Sequence, residues 1–253
     1  QPIGANDQAR IQQAFSIANT WLDEATVFPL IPSERAAVSP IDWLNDSLPG
    51  WHQTMSPLAE GLANAVAKLI TEATEGAETL GEQGTMAAAQ IQSLSQILRG
   101  FIGNMLATQL GQVVGAIANK STGAHDAALP LINPVKPSLI AQNVDSWGAD
   151  LEIPRTEIEI FHALRESAVA RLFGANPWLV SYLQSAITEY GQGIHIDLEA
   201  MQRQAEQALE NGNFDPMNPQ SFTIALNSGI FTPEETPAQQ KALAKLETAL
   251  ALI

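Results

Sequence analysis

The chain has 253 residues, 45% of them hydrophobic, and a formal charge of −15 from 27 acidic and 12 basic side chains. That length and apolar content allow a sizeable core and exclude global disorder. The acidic surface repels phosphate backbones and anionic membranes, so no nucleic-acid partner and no membrane insertion are expected.

There is no cysteine, which removes disulfides, thiolate nucleophiles and cysteine-ligated zinc together; it fits a reducing cytoplasm. Helical periodicity dominates from the start. Ile11, Phe15, Ala18, Trp21 and Leu22 recur at helix spacing, with Asp7 as a cap and Phe28-Pro29 as the stop. Residues 30–40 read as a proline-rich loop. Ser39-Pro40 is an N-cap followed by N1, and predicts a short helix through Trp43 and Leu44. Ser56-Pro57 repeats that signature and predicts a separate, long amphipathic helix after it.

Gly100–Asn119 is uncharged, and Gly103, Ala107, Gly111 and Gly115 fall four apart. Small residues on one face let helix backbones approach closely. Asn104, Gln109 and Gln112 are costly in lipid, so the run reads as a central helix buried in a core rather than as a membrane span. Residues 120–138 hold three prolines and read as a turn-rich connector. Helices are expected over 157–175, from Pro177 to about Tyr190, from Asp197 to Ala208, and from Pro237 onward behind a Thr236 cap. Period-two runs of β-branched residues are scarce, which predicts a mainly α fold with little or no β. The chain reads as one helical domain over 1–253, and its end at Leu252-Ile253, inside an apolar helical pattern, reads as a fragment of a longer chain.

The helix FHALRESAVARLFGANPWL carries Glu166 on an apolar face. A zinc peptidase helix reads His-Glu-x-x-His: two imidazoles one turn apart grip the metal, and the glutamate polarises its water. Here Arg165 and Val169 stand where those imidazoles belong. A guanidinium repels a cation, and valine offers no lone pair. A buried carboxylate needs a partner, and helical spacing offers His162 or Arg171 to Glu166. His52, His125, His162 and His195 are too dispersed to suggest a three-ligand site. The carboxylates at Asp145–Asp150, Glu157/Glu159 and Asp197/Glu199 read as solvated faces, and the five tryptophans as core rather than stacking platforms. Serine elbows, phosphate loops and dinucleotide fingerprints are absent from the sequence.

WLDEATVFP at 21–29, Ser39–Leu44, Trp51 to Pro57, LGQVVG at 110–115, Leu129-Pro130, ALRESAVARLFGANPWL at 163–179, Phe231 to Gln239 and Leu246 to Ile253 together resemble the bacterial zincin-like metallopeptidase family. The resemblance implies a helical zincin-like fold and a metal-dependent hydrolase ancestry. Only the glutamate transfers as a catalytic residue, at Glu166. Arg165, Arg171, Pro177 and Trp178 match the motif as structural positions. Because Val169 replaces the motif histidine, the resemblance implies a degenerate member without zinc, acting as a binding or scaffold module for a protein or peptide. The alternative is an active zinc hydrolase with the ligand set His162, Glu166 and either His195 or Glu189. Glu189 enters because some zincins take a downstream glutamate as third ligand.

Overall fold

A computed structural model describes residues 3–78, 103–104, 107–195 and 235–251. It is mainly α. In chain order the elements are α1 (Ala5–Ala25), β1 (Ala37–Val38), α2 (Pro40–Glu78), α3 (107–118), β2 (Leu139–Ile140), α4 (Ala141–Gly148), α5 (Arg155–Ala175), α6 (Pro177–Gln192) and α7 (Pro237–Leu250). Contacts divide the chain into two compact units. The first comprises Gln1–Ser56, Asn104–Ile187 and Ala244–Ile253, and the second Pro57–Gly103 and Thr188–Leu243.

Two caps are where the sequence puts them. Ser39 Oγ accepts from the Asp42 amide at 3.1 Å, and Asp42 Oδ2 accepts from the Ser39 amide at 3.0 Å, a reciprocal capping box. Thr236 and Gln239 repeat the device before α7. Asp7 is not the cap of α1. Gly4 is, and Asp7 sits one turn inside, accepting from the Gly4 amide at 3.1 Å.

The expected break at Ser56-Pro57 is absent: α2 is one helix of 39 residues. Proline removes a single amide and disfavours helix rather than forbidding it, and Ser56 turns its hydroxyl onto the His52 carbonyl at 2.8 Å instead of capping. The second compact unit nevertheless begins at Pro57. Within that unit a glycine pair is required by close approach, since a Cβ on Gly61 would lie 1.9 Å from the Gly191 carbonyl oxygen.

The glycines of the 100–119 run behave differently from the expectation. Part of the run lies outside the described residues. In the rest, added Cβ atoms at Gly103, Gly111 and Gly115 would meet nothing within 4 Å, and of 107–118 only Ala118 is buried. Among the described residues their spacing therefore makes no tight helix pairing; Val114 and Ile117 pack on the core from one side. The predicted helix at 197–208 also lies outside the described residues.

The first unit has three apolar clusters. One joins Ile11, Phe15 and Ala18 of α1 to Ile158 and Ala163 of α5 through Ala37 and Leu139. A second seats Trp43 and Trp51 of α2 against Ala124, Leu131 and Ile132. A third packs Phe173, Leu179, Leu183 and Ala249. Fully burying one such side chain stabilises by about 1.5–3 kcal/mol. Trp43 also donates its indole N–H to the Ala124 carbonyl at 3.1 Å, so it fixes the connector as well as filling the core.

β1 and β2 are two-residue parallel strands, with Ala37 opposite Leu139 and Val38 opposite Ile140. Residues 122–124 run along the other edge of β2: Ile140 N–H donates to Thr122 O and Ala124 N–H to Ser138 O, at 2.8 and 2.9 Å. This small three-stretch arrangement is what delivers the connector to α5.

Candidate functional site

Glu166 lies on the buried face of α5 and is 2% exposed. Its carboxylate accepts three hydrogen bonds from the connector: His125 Nδ1–H at 2.7 Å, the His125 amide at 3.0 Å and the Ser138 amide at 3.2 Å. The pairing of Ala124 with Ser138 places both amides on the same side of the strand edge, so they converge on one acid. Neither His162 nor Arg171 is the partner of Glu166. Helical spacing could offer only residues on α5 itself, and the true partner arrives 41 positions earlier in the chain. The signal that could have found it is a lone imidazole in an otherwise small, polar connector, STGAHD. There is no room beside the acid. A Cβ at Gly123 would fall 2.5 Å from Glu166 Oε2.

His162, one turn before Glu166, is 3% exposed and bonds to a different part of the same connector. Its Nδ1 lies 2.9 Å from Thr122 Oγ1. Thr122 Oγ1 lies 2.7 Å from Asp126 Oδ2, and a carboxylate can only accept. The single hydroxyl proton therefore points to Asp126, and His162 donates from Nδ1. Its Nε2 is left as a lone pair, buried and without a hydrogen-bond partner. Burial holds the His162 pKa below the ordinary 6.5; Asp126 pulls upward against this and Arg165 adds to it. The imidazole is thus neutral near pH 7. Trp147 and Phe161 cover it edge-on, with ring centroids at 4.8 and 5.2 Å.

Arg165 is about half exposed, lies 3.7 Å from Asp126 Oδ1 and extends over the Phe161 ring. Val169 packs into the apolar cluster of Phe173 and Leu179. Arg171 is 1% exposed and ties α5 to the WLDEATVFP segment: it donates to Asn19 Oδ1 at 3.0 Å and to the Phe28 carbonyl at 3.2 Å, and pairs with Asp23 at 2.7 Å. Pro177 starts α6, and Trp178 is 59% exposed, its indole N–H donating to Asn176 Oδ1. Glu189 and His195 belong to the second unit, whereas His162 and Glu166 belong to the first.

Two further expectations change. Glu159 is not on a solvated face. It is 1% exposed and held between Arg10 and Arg155, the latter at 3.2 Å. Asp197 and Glu199 lie outside the described residues. Of the tryptophans, Trp43 and Trp51 are core, but Trp21, Trp147 and Trp178 are half or more exposed.

Both oxygens of Glu166 accept from N–H groups, Arg165 and Val169 stand at the motif's two histidine positions, and no group of three His, Cys, Asp or Glu side chains that could hold a metal occurs among the described residues. Among those residues, no helix is long and apolar enough to cross a membrane. A family model described as "Zincin-like metallopeptidase" matches residues 2–253. No curated protein and no solved structure matches the chain.

Proposed function

The chain belongs to the zincin-like metallopeptidase family, and from that premise we propose that it is a degenerate member: it holds no zinc, hydrolyses nothing through Glu166, and acts as a binding or scaffold module. One observation carries this reading. The carboxylate that would polarise a metal-bound water already accepts three N–H groups, two from His125 and one from Ser138, and a general base must reach the proton it abstracts. Glu166 works as a staple between α5 and the connector. Its partner in this reading is a protein or peptide, since a chain of charge −15 repels nucleic acid. The cysteine-free composition suits the cytoplasm.

The alternative, a hydrolase with an atypical ligand set, draws on the buried lone pair at His162 Nε2. His125 Nε2 is buried without a partner as well, but two imidazoles fall short of a hydrolytic site, which takes three protein ligands, and no group of three gathers among the described residues.

Metal analysis after dialysis against zinc separates the two. The expected result is no tightly held zinc. One equivalent per chain, lost in His162→Ala, would overturn the proposal. Val169→His supplies the missing motif imidazole and should still not create tight binding, because the Arg165 guanidinium remains at the other ligand position and Glu166 remains engaged. Tight zinc in that single variant would show the staple to be easily displaced.

A further inference from the structure

Three features outside the staple invite a ligand: the buried His162 lone pair, the Trp178–Tyr182 pair on α6, and the exposed face of α4 and α5. His162 Nε2 and His125 Nε2 are both buried without a partner, but no group of three metal-ligating side chains occurs among the described residues, and nothing in the structure indicates what would cover Trp178. The third feature is better defined.

Trp147 of α4 and Phe161 of α5 stack with centroids 6.0 Å apart and an interplanar angle of 21°. They are 50% and 47% exposed. Leu151 and Ile153, on the loop joining the two helices, are 40% and 46% exposed. Gly148, next to Trp147, packs against Ile158, where a Cβ would approach Ile158 Cδ1 to 2.5 Å. At that contact the surface opens into a cleft of about 380 Å³ lined by Val144, Gly148, Ile153 and Ile158 and by the Asp145–Arg155 ion pair. Cleft and aromatic pair therefore adjoin along the N-terminal half of α5. Four large apolar side chains exposed together cost solubility unless something covers them.

The surrounding charge identifies the occupant. Arg155 is consumed by Asp145 and Glu159. Asp150, Glu152 and Glu157 are exposed and have no ion-pair partner among the described residues. An apolar strip with an acidic rim matches a segment that is apolar on one face and basic at its edges. A second copy of this chain would bring the same three carboxylates together across a two-fold axis.

We propose that the Trp147–Ile153–Phe161 face is a docking site for a basic amphipathic segment of another protein. This inference rests on the binding-module reading, but the two fail separately: zinc uptake would sink that reading and leave the surface standing, whereas a null result below sinks only the surface.

The test is fluorescence anisotropy of the full chain with a labelled peptide of about 18 residues carrying leucine and lysine at helical spacing. A leucine–glutamate peptide of the same pattern is the comparison. The lysine peptide is expected to bind, to weaken as salt screens the rim, and to bind about tenfold or more weakly to Trp147→Ala or Phe161→Ala. Ile153→Ser, on the loop and away from His162, should weaken it similarly and guards against a Trp147 variant that fails to fold. Glu24→Lys, an exposed change on α1, should leave affinity within about twofold of wild type. No binding, equal binding of the glutamate peptide, equal weakening by Glu24→Lys, or a concentration-dependent dimer abolished by Trp147→Ala would each overturn the proposal.

Discussion

A buried carboxylate surrounded by three N–H donors tolerates no neutral substitute. Glu166→Gln keeps the shape but turns an NH2 group toward a donor, since His125 Nδ1, the His125 amide and the Ser138 amide all point at it. Leaving such groups unpaired costs about 2–4 kcal/mol, to be read as a lower urea midpoint at constant slope. His125→Ala removes one donor and should cost a comparable amount, and the double variant should show a coupling of about 1–3 kcal/mol. Additive effects would mean that the two residues do not act as a pair. That Glu166 is buried was legible from the helical pattern of FHALRESAVARLF. Its partner was not, because a contact across 41 residues depends on how the connector threads beside β2, and no local period encodes that.

At the scale of elements, α5 is the hub, and different turns of it serve different neighbours. Glu159 meets Arg10 of α1 and Arg155 of its own first turn, His162 and Glu166 grip the connector, and Arg171 reaches Asn19, Asp23 and Phe28. Two of the motifs that carry the family resemblance, WLDEATVFP and ALRESAVARLF, are therefore two sides of one contact. Arg171 holds that contact with a planar fork, which a lysine cannot reproduce. Arg171→Lys should destabilise by about 2–3 kcal/mol and increase proteolytic cleavage around residues 26–30. An unchanged urea midpoint would show that charge alone suffices. The helices and the Ser39 and Thr236 caps were legible here because capping residues and 3.6-residue periods act locally. The misreadings have separate causes: Ser56 bonds back to the His52 carbonyl within a continuous helix instead of capping a new one, Glu159 is drawn inside by Arg10 of α1 and by Arg155 one turn before it, and Trp147 is left exposed although tryptophan usually fills a core.

For the molecule as a whole, one connector is tied to α5 at two points, and the His162 anchor makes the fold sensitive to pH. Thr122 to Asp126 is held at one end by His162 and at the other by Glu166. His162 donates from Nδ1 and stays neutral because burial lowers its pKa below 6.5, with Arg165 acting in the same direction and Asp126 against it. In the unfolded chain the same imidazole titrates at its ordinary value. Between the lowered folded pKa and 6.5 the unfolded state binds more protons, so stability rises with pH in that window and is fully present above it. Acidification from about pH 7.5 to about pH 5 should therefore weaken the fold, with at most about 1.4 kcal/mol per pH unit coming from this one group. His162→Asn retains a donor toward Thr122 but does not titrate. Urea midpoints measured across that range should converge as pH falls, because the wild-type chain loses stability that the asparagine variant does not have to lose. Parallel curves would assign the acid sensitivity to other groups and show that the connector is not clamped through a neutral imidazole.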